Sequence, residues 1–232
     1  LDNTGSGGTI TLSSDGTNLL LGGSAIGGSP DLFAENYDGT STLPSATGTN
    51  AVAIGRSAVA SGTGGFASGN GATASGTNSV ALGRANTASG SNSFAFGFSN
   101  TASAIYSVAI HGNATADETT AIGKNSSSQP ANAVTGQGAM ALGGSYASGT
   151  DSFAAAIANN SSTYGASGAN SVAIGYQAKA SQIYSVAIGA ANDAGAGRSL
   201  SIGGYGNVVG GTGSYSVICG GRENETANSY SF

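Results

Sequence analysis

Large apolar residues recur along most of the chain at a spacing of fourteen residues. The first apolar residue of each copy falls in one register at Val52, Phe66, Val80, Phe94 and Val108, and again after two insertions at Val172, Val186 and Leu200. Within each copy a large apolar residue alternates with a small one and the run ends in glycine, as in Ser79 to Gly83. Period-two alternation closed by a turn residue is typical of a short β-strand. The pattern therefore predicts such a strand in every copy.

The second half of each copy has a strand pattern of its own. After two polar residues it reads Ala-x-Ala and ends in a Ser-Gly corner, as in Arg56 to Gly62. Two strands and two turns in fourteen residues make one coil of a solenoid, and stacked coils pair equivalent residues about 4.8 Å apart. We therefore predict an all-β, parallel β-roll solenoid with coils of about fourteen residues.

The two faces of the first strand differ in the size of their side chains. One face carries large residues, and the other carries Ala and Ser, as Ala81 and Ser79 do beside Val80. We expect the large residues to supply a thin core and the small face to allow close approach of another chain. Because so small a coil cannot bury a core alone, identical rolls should associate in parallel, and threefold symmetry is the economical arrangement for a fibre. The large repeat residues include Val52, Ile54, Val80, Leu82, Phe94, Phe96, Val108, Ile110, Val172, Ile174, Val186 and Ile188.

The repeat does not extend to the start of the chain. Residues 1–49 are expected to form a cap or joint, in which residues 9–12 and 18–21 pair as a hairpin and residues 29–49 form an extended connector. Residues 50–232 are expected to form the roll. The chain starts at Leu1 rather than Met and stops at Phe232 within a repeat, so we expect it to be a piece of a longer protein.

The regular step is broken twice. It stretches to twenty residues between Thr120 and Met140 and to nineteen between Phe153 and Val172. Extra residues in a solenoid leave the coil as loops that often bind partners, although a surface turn also tolerates such drift in length. We expect a receptor to contact the loops at residues 124–137 and 157–168, through Lys124, Asn125, Gln129, Asn132, Asn159, Asn160 and Tyr164.

One position, two residues before the first apolar residue, changes character along the chain. It holds Asn in some copies and Tyr in others, at Asn50, Asn78, Asn92, Asn170, Tyr106, Tyr184, Tyr215 and Tyr230. These side chains form either exposed aromatic contacts for a sugar or protein, or ladders that stack and seal the turns, as Asn ladders do in repeating strands.

The Ser-Val-Ala-Ile-Gly cores at Ser171 to Gly175 and Ser185 to Gly189, with their Ala-x-Ala second halves, resemble the head repeat of trimeric autotransporter adhesins, the YadA-like head. The resemblance covers roughly residues 50–232. It implies a left-handed parallel β-roll in a three-chain bundle that carries adhesion to host surfaces or matrix proteins. Similar repeats occur in tail and side fibres of bacteriophages, and Tyr215 to Gly221 looks more like those.

Composition and charge narrow the function. The 232 residues include 41 Gly, only 7% are charged, and the net charge is −5. Binding a phosphate backbone calls for a basic stripe, and the six basic residues do not cluster, so no nucleic-acid partner is expected. No apolar run is long enough to span a bilayer, so we expect no direct membrane insertion by this segment.

Candidate chemistry is sparse. His111, the only histidine, is expected in a turn or interface, and three copies meeting near an axis would make it a candidate for binding an anion or metal. The carboxylate pairs Asp117 with Glu118 and Glu223 with Glu225 are expected to be solvated turn charges rather than a glycosidase pair. We therefore predict no enzyme activity and no cofactor. Cys219 replaces a large apolar residue and is expected to be buried.

Together these patterns predict a non-enzymatic, homotrimeric, extracellular fibre that binds a glycan or protein receptor on a host surface. We favour a phage tail or side fibre in a virion, because the last copies differ and these residues contain no neck, stalk or anchor motif. The alternatives are the head of a bacterial trimeric autotransporter adhesin on the cell surface, and a polysaccharide-degrading tailspike.

Overall fold

A computed structural model describes residues 42–123, 133–155, 163–210 and 214–232, together with short strands before residue 42. The chain divides into two compact units, Leu1–Thr40 and Ser41–Phe232. In the first unit, β1 (Leu12–Ser14) pairs antiparallel with β2 (Leu19–Leu21), which pairs antiparallel with β3 (Ser24–Ala25). A hairpin thus lies near the expected position, with its first strand at residues 12–14 rather than 9–12, and β3 adds a strand that the sequence did not predict.

The second unit is a roll in which each coil contributes one strand to each of two sides. One side is a twelve-stranded sheet. Its strands, here called the long strands, are β5 (Val52–Ile54), β7 (Phe66–Ser68), β9 (Val80–Arg84), β11 (Phe94–Phe98), β13 (Val108–Ile110), β15 (Thr120–Ile122), β17 (Met140–Leu142), β18 (Phe153–Ala155), β20 (Val172–Ile174), β22 (Val186–Ala190), β24 (Leu200–Tyr205) and β26 (Val217–Cys219).

The other side consists of short strands. They are β4 (Ser45–Ala46), β6 (Val59–Ala60), β8 (Thr73–Ala74), β10 (Thr87–Ala88), β12 (Thr101–Ala102), β14 (Asn113–Ala114), β16 (Ala133–Val134), β19 (Gly165–Ala166), β21 (Lys179–Ala180), β23 (Asp193–Ala194), β25 (Val208–Val209) and β27 (Glu225–Thr226). They form a seven-stranded and a five-stranded sheet, and parallel bridges from Val134 to Ala147 and from Ala147 to Ala166 join the two.

Equivalent residues of successive coils pair in parallel and in register. Phe94 lies opposite Val80 on one side and Val108 on the other, and the register survives the second insertion, where Phe153 lies opposite Val172. The predicted all-β parallel solenoid with coils of about fourteen residues is therefore confirmed. The roll also starts earlier than residue 50, because Ser45 in β4 already pairs with the next coil.

The core of the roll consists of small side chains. Ala67 and Ala81 from the long strands and Ala74 from a short strand are 0% exposed and belong to one continuous cluster. The large residues of the same strands point outward, so that Val80 is only half-buried and Phe96 is exposed. The expectation that the large residues form the core is therefore wrong. Two strands joined by such short turns enclose a thin layer of mostly methyl groups, in which Val134 and Val209 are the largest fully buried apolar side chains.

Corner glycines set how closely the coils stack. A Cβ added to Gly76 would lie 2.0 Å from the carbonyl oxygen of Gly90 in the next coil, and one added to Gly62 would lie 2.0 Å from the carbonyl oxygen of Gly76. Neither backbone is in the left-handed region. Glycine is therefore required at these corners by the close approach of the neighbouring coil.

Candidate interaction surfaces

The large apolar residues cover the outside of the long-strand sheet. We call this surface the outer apolar face and define it as the first and third residues of every long strand. Val52, Phe96, Ile122 and Met140 on it are 38%, 44%, 38% and 39% exposed. Soluble monomers rarely expose large contiguous apolar patches. An apolar face that runs along twelve paired strands is therefore typical of a surface that another protein chain covers.

Cys219 belongs to the outer apolar face, as the third residue of β26. It lies opposite Ile202 in the preceding coil and is a free, exposed thiol. The expectation that it is buried is therefore wrong for the single chain. The error has the same origin as the error about the core, since the row of large residues that Cys219 joins points outward.

Buried asparagines shape the turn after some long strands. Asn86 is fully buried, and its Nδ2 donates to the carbonyl oxygens of Leu82 and, at 2.8 Å, Gly97. Its Oδ1 accepts both the backbone N–H and the Nδ2–H of Asn100 in the next coil, each at 2.9 Å. Strands β9 and β11, which precede the two asparagines, are five residues long. Strands β5 and β7 are three residues long, and Ala58 and Ala72 follow them at the position equivalent to Asn86. The sequence analysis missed this inner ladder because an Asn in a turn is ordinarily exposed.

The turn from each short strand to the next long strand carries a column of left-handed residues that we call the corner ladder. It comprises Asn50, Gly64, Asn78, Asn92, Tyr106, Glu118, Gly138, Asp151, Asn170, Tyr184, Arg198, Tyr215 and Tyr230, with φ from 51° to 67°. Backbone hydrogen bonds between successive coils stabilise this column. For example, the Arg198 N–H donates to the Ile183 oxygen at 2.9 Å. The side chains also interact along the column, since Asn78 Nδ2 donates to Asn92 Oδ1 at 3.4 Å.

The last rungs of the corner ladder are aromatic and cationic. The rings of Tyr215 and Tyr230 stack with centroids 5.4 Å apart and planes 3° from parallel. The Arg198 guanidinium carbon lies 5.5 Å from the ring centre of Tyr184 and 5.5 Å from that of Tyr215. Tyr184, Tyr215 and Tyr230 are nevertheless 50%, 46% and 71% exposed, respectively. Stacking is thus confirmed, and the stacked edges also face solvent.

With this geometry in place, the chain can be compared with known proteins. One family model is described as two copies of the YadA head domain repeat. It matches the chain at five overlapping or separate segments, residues 46–72, 60–86, 74–100, 88–110 and 166–192. Residues 46–110 and 166–192 therefore carry YadA head repeats. The resemblance drawn from the Ser-Val-Ala-Ile-Gly cores is therefore confirmed. No curated protein matches the chain by sequence.

The roll continues beyond the segments that match the family. Residues 111–165 and 193–232 lie outside the matches, yet their long strands extend the same twelve-stranded sheet. Leu200 pairs with Val217 across a wider coil, and the Val217 N–H then donates to the oxygen of Ser231 at 2.8 Å. The roll therefore continues through its last copies with wider coils.

Both predicted receptor loops interrupt the same turn of the YadA head repeat, the one from a long to a short strand. Residues 124–132 separate β15 from β16, and residues 156–162 separate β18 from β19. The two interrupted coils have only the coil of β17 between them, which corresponds to about 10 Å along the roll. The predicted contacts Lys124, Asn125, Gln129, Asn132, Asn159 and Asn160 lie outside the described residues.

Tyr164 is the predicted receptor contact that the structure does describe. It is half-buried and packs against the alanine core. Because Gly165 pairs with Lys179, Tyr164 stands at the position of the fully buried Ala178 in the next coil. Residues 133–137 and 163–168, which the sequence analysis assigned to the loops, contain β16 and β19 and so reach into the roll.

His111 lies in a turn and is exposed, with a φ of 53°. Its N–H donates to the oxygen of Phe96 at 3.1 Å, and its ring meets the Phe96 ring edge-on with centroids 6.4 Å apart. Within the described residues, no three His, Cys, Asp or Glu side chains gather in a way that could hold a metal ion. In the single chain, His111 therefore borders the outer apolar face as a turn residue.

Two of the four carboxylates considered for catalysis make contacts within the fold. Asp117 Oδ1 accepts the N–H of Ile105 at 2.9 Å, and Glu118 is a rung of the corner ladder. Glu223 pairs with Arg222 at 3.2 Å, with both side chains mostly exposed. These contacts are those of turn residues. Over the part of the chain that the structure covers, no helix has the length and apolar character needed to cross a membrane.

Proposed function

We propose that this chain is part of the head of a trimeric, non-enzymatic surface adhesin that acts outside the cell and attaches to a host receptor. The observation that carries the proposal is the outer apolar face. The fold places its small residues inside and its large residues outside, so burial of the large residues needs other chains. Identical copies present identical faces, and three of them can close around an axis and leave no face uncovered.

The match to YadA head repeats favours a bacterial adhesin over the phage fibre. Heads of this type belong to trimeric autotransporter adhesins on the bacterial surface, which supports both the assembly and the location. The last coils, which suggested a phage fibre, follow the same long-strand sheet as the matched coils. They therefore give no separate support to the phage reading.

Assembly can be tested with one substitution on each side of the roll. Ile188→Asp introduces a charge at a half-buried position of the outer apolar face, whereas Thr87→Asp introduces it on the outward side of short strand β10. We expect sedimentation to give a trimer for the original chain and for Thr87→Asp, and a dissociated chain for Ile188→Asp, because a charge is costly in a dry interface. An unchanged trimer with Ile188→Asp would contradict assembly through this face.

The two loops are the proposed receptor contacts, because they interrupt the same turn in two coils that are separated only by the coil of β17. In a test variant, residues 124–132 are replaced by the uninterrupted turn Arg84 to Asn86, and residues 156–163 by the turn Gly83 to Ala85. We expect the variant to fold and assemble but to lose attachment to host cells. A control keeps both loop lengths and scrambles their sequences, which separates loop chemistry from loop length. Full attachment by the variant with both loops replaced would refute this assignment.

A further inference from the structure

We propose that the corner ladder around Arg198 is a binding site for the carboxylate of an acidic sugar. This inference rests on the attachment function proposed above and names a ligand class for one surface of the same fibre. It concerns a different part of the roll from the two loops. The site consists of Ile183, Tyr184, Gly197, Arg198, Ser214 and Tyr215.

Arg198 is held in place by its neighbours. Its guanidinium lies between the rings of Tyr184 and Tyr215, 5.5 Å from the centre of each, a distance at which cation–π attraction is effective. Its backbone N–H donates to the Ile183 oxygen. Arg198 is nevertheless exposed, so an anion from solvent can accept two of its guanidinium N–H groups in parallel.

The charge of Arg198 is also unused. Within the described residues, ion pairs join Lys179 to Asp193 and Arg222 to Glu223, and none reaches Arg198. Arg222 is the informative comparison, because it too lies near a tyrosine, 5.7 Å from the ring centre of Tyr205, yet it has a carboxylate partner of its own. A stacked arginine without an internal carboxylate is ready to receive one from a ligand.

A recess beside Arg198 gives the ligand a place to sit. Its floor is Gly197, at the position that Thr49, Thr63 and Thr77 occupy in other coils. A Cβ on Gly197 would have only ordinary contacts, at 3.8 Å from Ile183 Cγ2 and 3.9 Å from Ser214 Oγ. The backbone of Gly197 is not left-handed, so neither packing nor conformation requires a glycine here. Because Gly197 has no side chain, the surface between the two neighbouring coils is open at this position.

The chemistry around the recess suits a sugar. The hydroxyls of Tyr184, Tyr215 and Ser214 can exchange hydrogen bonds with sugar hydroxyls, and Ile183, which is 42% exposed, offers an apolar wall to the C–H groups of the ring. An acidic segment of another protein is the competing occupant, and the experiment below distinguishes it.

The test measures binding of the assembled fibre to polyacrylamide carrying N-acetylneuraminic acid, glucuronic acid or glucose, and to polyaspartate. We expect binding to both acidic sugar conjugates at least about tenfold tighter than to the glucose conjugate or to polyaspartate. Arg198→Gln should reduce it at least tenfold by removing the charge. Gly197→Thr should reduce it similarly by filling the recess while leaving the charge. Arg84→Gln, which removes an arginine stacked on Phe98, is the matched control and should bind as before.

Several outcomes would overturn the inference. The inference is wrong if the glucose conjugate binds as tightly as the acidic sugar conjugates, or if polyaspartate binds more tightly than they do. It is also wrong if the Arg198→Gln fibre binds the acidic sugar conjugates as tightly as the original fibre. Dissociation of the fibre by Arg198→Gln would also overturn it, because the corner would then serve assembly. Cell attachment separates this inference from the proposed function. An original fibre that fails to attach contradicts the function, whereas a fibre that attaches equally with and without Arg198 contradicts only this site.

Discussion

Gly76→Ala is expected to separate two neighbouring coils of the roll. The added Cβ would lie 2.0 Å from the Gly90 oxygen, about 1 Å closer than real Cβ contacts allow. No side chain can move aside, since the obstacle is backbone. The coils must part by about that distance, which takes the bonds from Ser75 N–H and Gly76 N–H to the Ala88 oxygen, now 2.9 and 3.3 Å, beyond hydrogen-bonding range.

The cost of Gly76→Ala can be estimated from these losses. Two backbone hydrogen bonds contribute about 1 kcal/mol each, and the remaining overpacking adds about 1 kcal/mol or more. The total is about 3 kcal/mol. Gly71→Ala is the matched control, because a Cβ there meets nothing within 4 Å and Ala85 and Ala191 already occupy the same left-handed turn in other coils. Its cost is about 1 kcal/mol, from backbone conformation alone.

Thermal unfolding followed by circular dichroism should resolve the difference. For a unit of this size about 2 kcal/mol corresponds to roughly 4–8 °C in Tm, with Gly76→Ala the lower. Hydrogen exchange should show the loss of protection concentrated at the amides of Ser75 and Gly76. Equal Tm values for the two alanine variants would refute the claim that close coil stacking, rather than backbone conformation, requires glycine at this corner.

Three further results are expected. Asn207→Ala should lower the free energy of unfolding by about 2–3 kcal/mol, measured by chemical denaturation. The reason is that buried Asn207 accepts hydrogen bonds from both Asn224 nitrogens at 3.1 Å and donates one to the Gly203 oxygen at 2.9 Å. A loss smaller than that caused by Asn224→Ala, at an exposed residue, would contradict the inner ladder. Cys219 should resist maleimide in the assembled fibre and react after dissociation, and labelling at equal rates in both states would argue against burial of the outer apolar face. Lys179→Met should change stability by less than about 1 kcal/mol in the same denaturation assay, since its ion pair with Asp193 is partly exposed; a loss several times larger would mean that the pair is coupled to the core.

The repeat in the sequence was sufficient to predict the solenoid but not which face lies inside. Alternation shows that Val80 and Ala81 point to opposite sides, and it is silent about which side is enclosed. The usual tendency of large apolar residues to be buried then pointed the wrong way. The column opposite Val80 carried the missing signal. Residues 53, 67, 81, 95 and 109 are all alanine, whereas residues 52, 66, 80, 94 and 108 on the outward column alternate between Val and Phe.

The turns were less predictable than the strands, for a physical reason. A polar residue in a turn satisfies the same local pattern whether its side chain faces solvent or the backbone of the next coil. Asn78 and Asn86 therefore look alike in the sequence. In the roll, Asn78 bonds along the exposed corner ladder, whereas Asn86 is buried against the carbonyl oxygens of two coils. The burial of the two side chains differs because of contacts between coils, and the sequence of a single repeat does not show those contacts.

The small interior determines where recognition can evolve on this chain. Because the inside is filled mostly by alanine and serine and buries no apolar side chain larger than Val134 and Val209 completely, substitutions that introduce larger or charged side chains are expected on the outside or in the turns. The outer apolar face takes the large residues, on which the proposed assembly depends. The corner ladder keeps its backbone bonds whether the rung is Asn92, Glu118 or Arg198. Binding chemistry can therefore change rung by rung while the core that supports it stays constant.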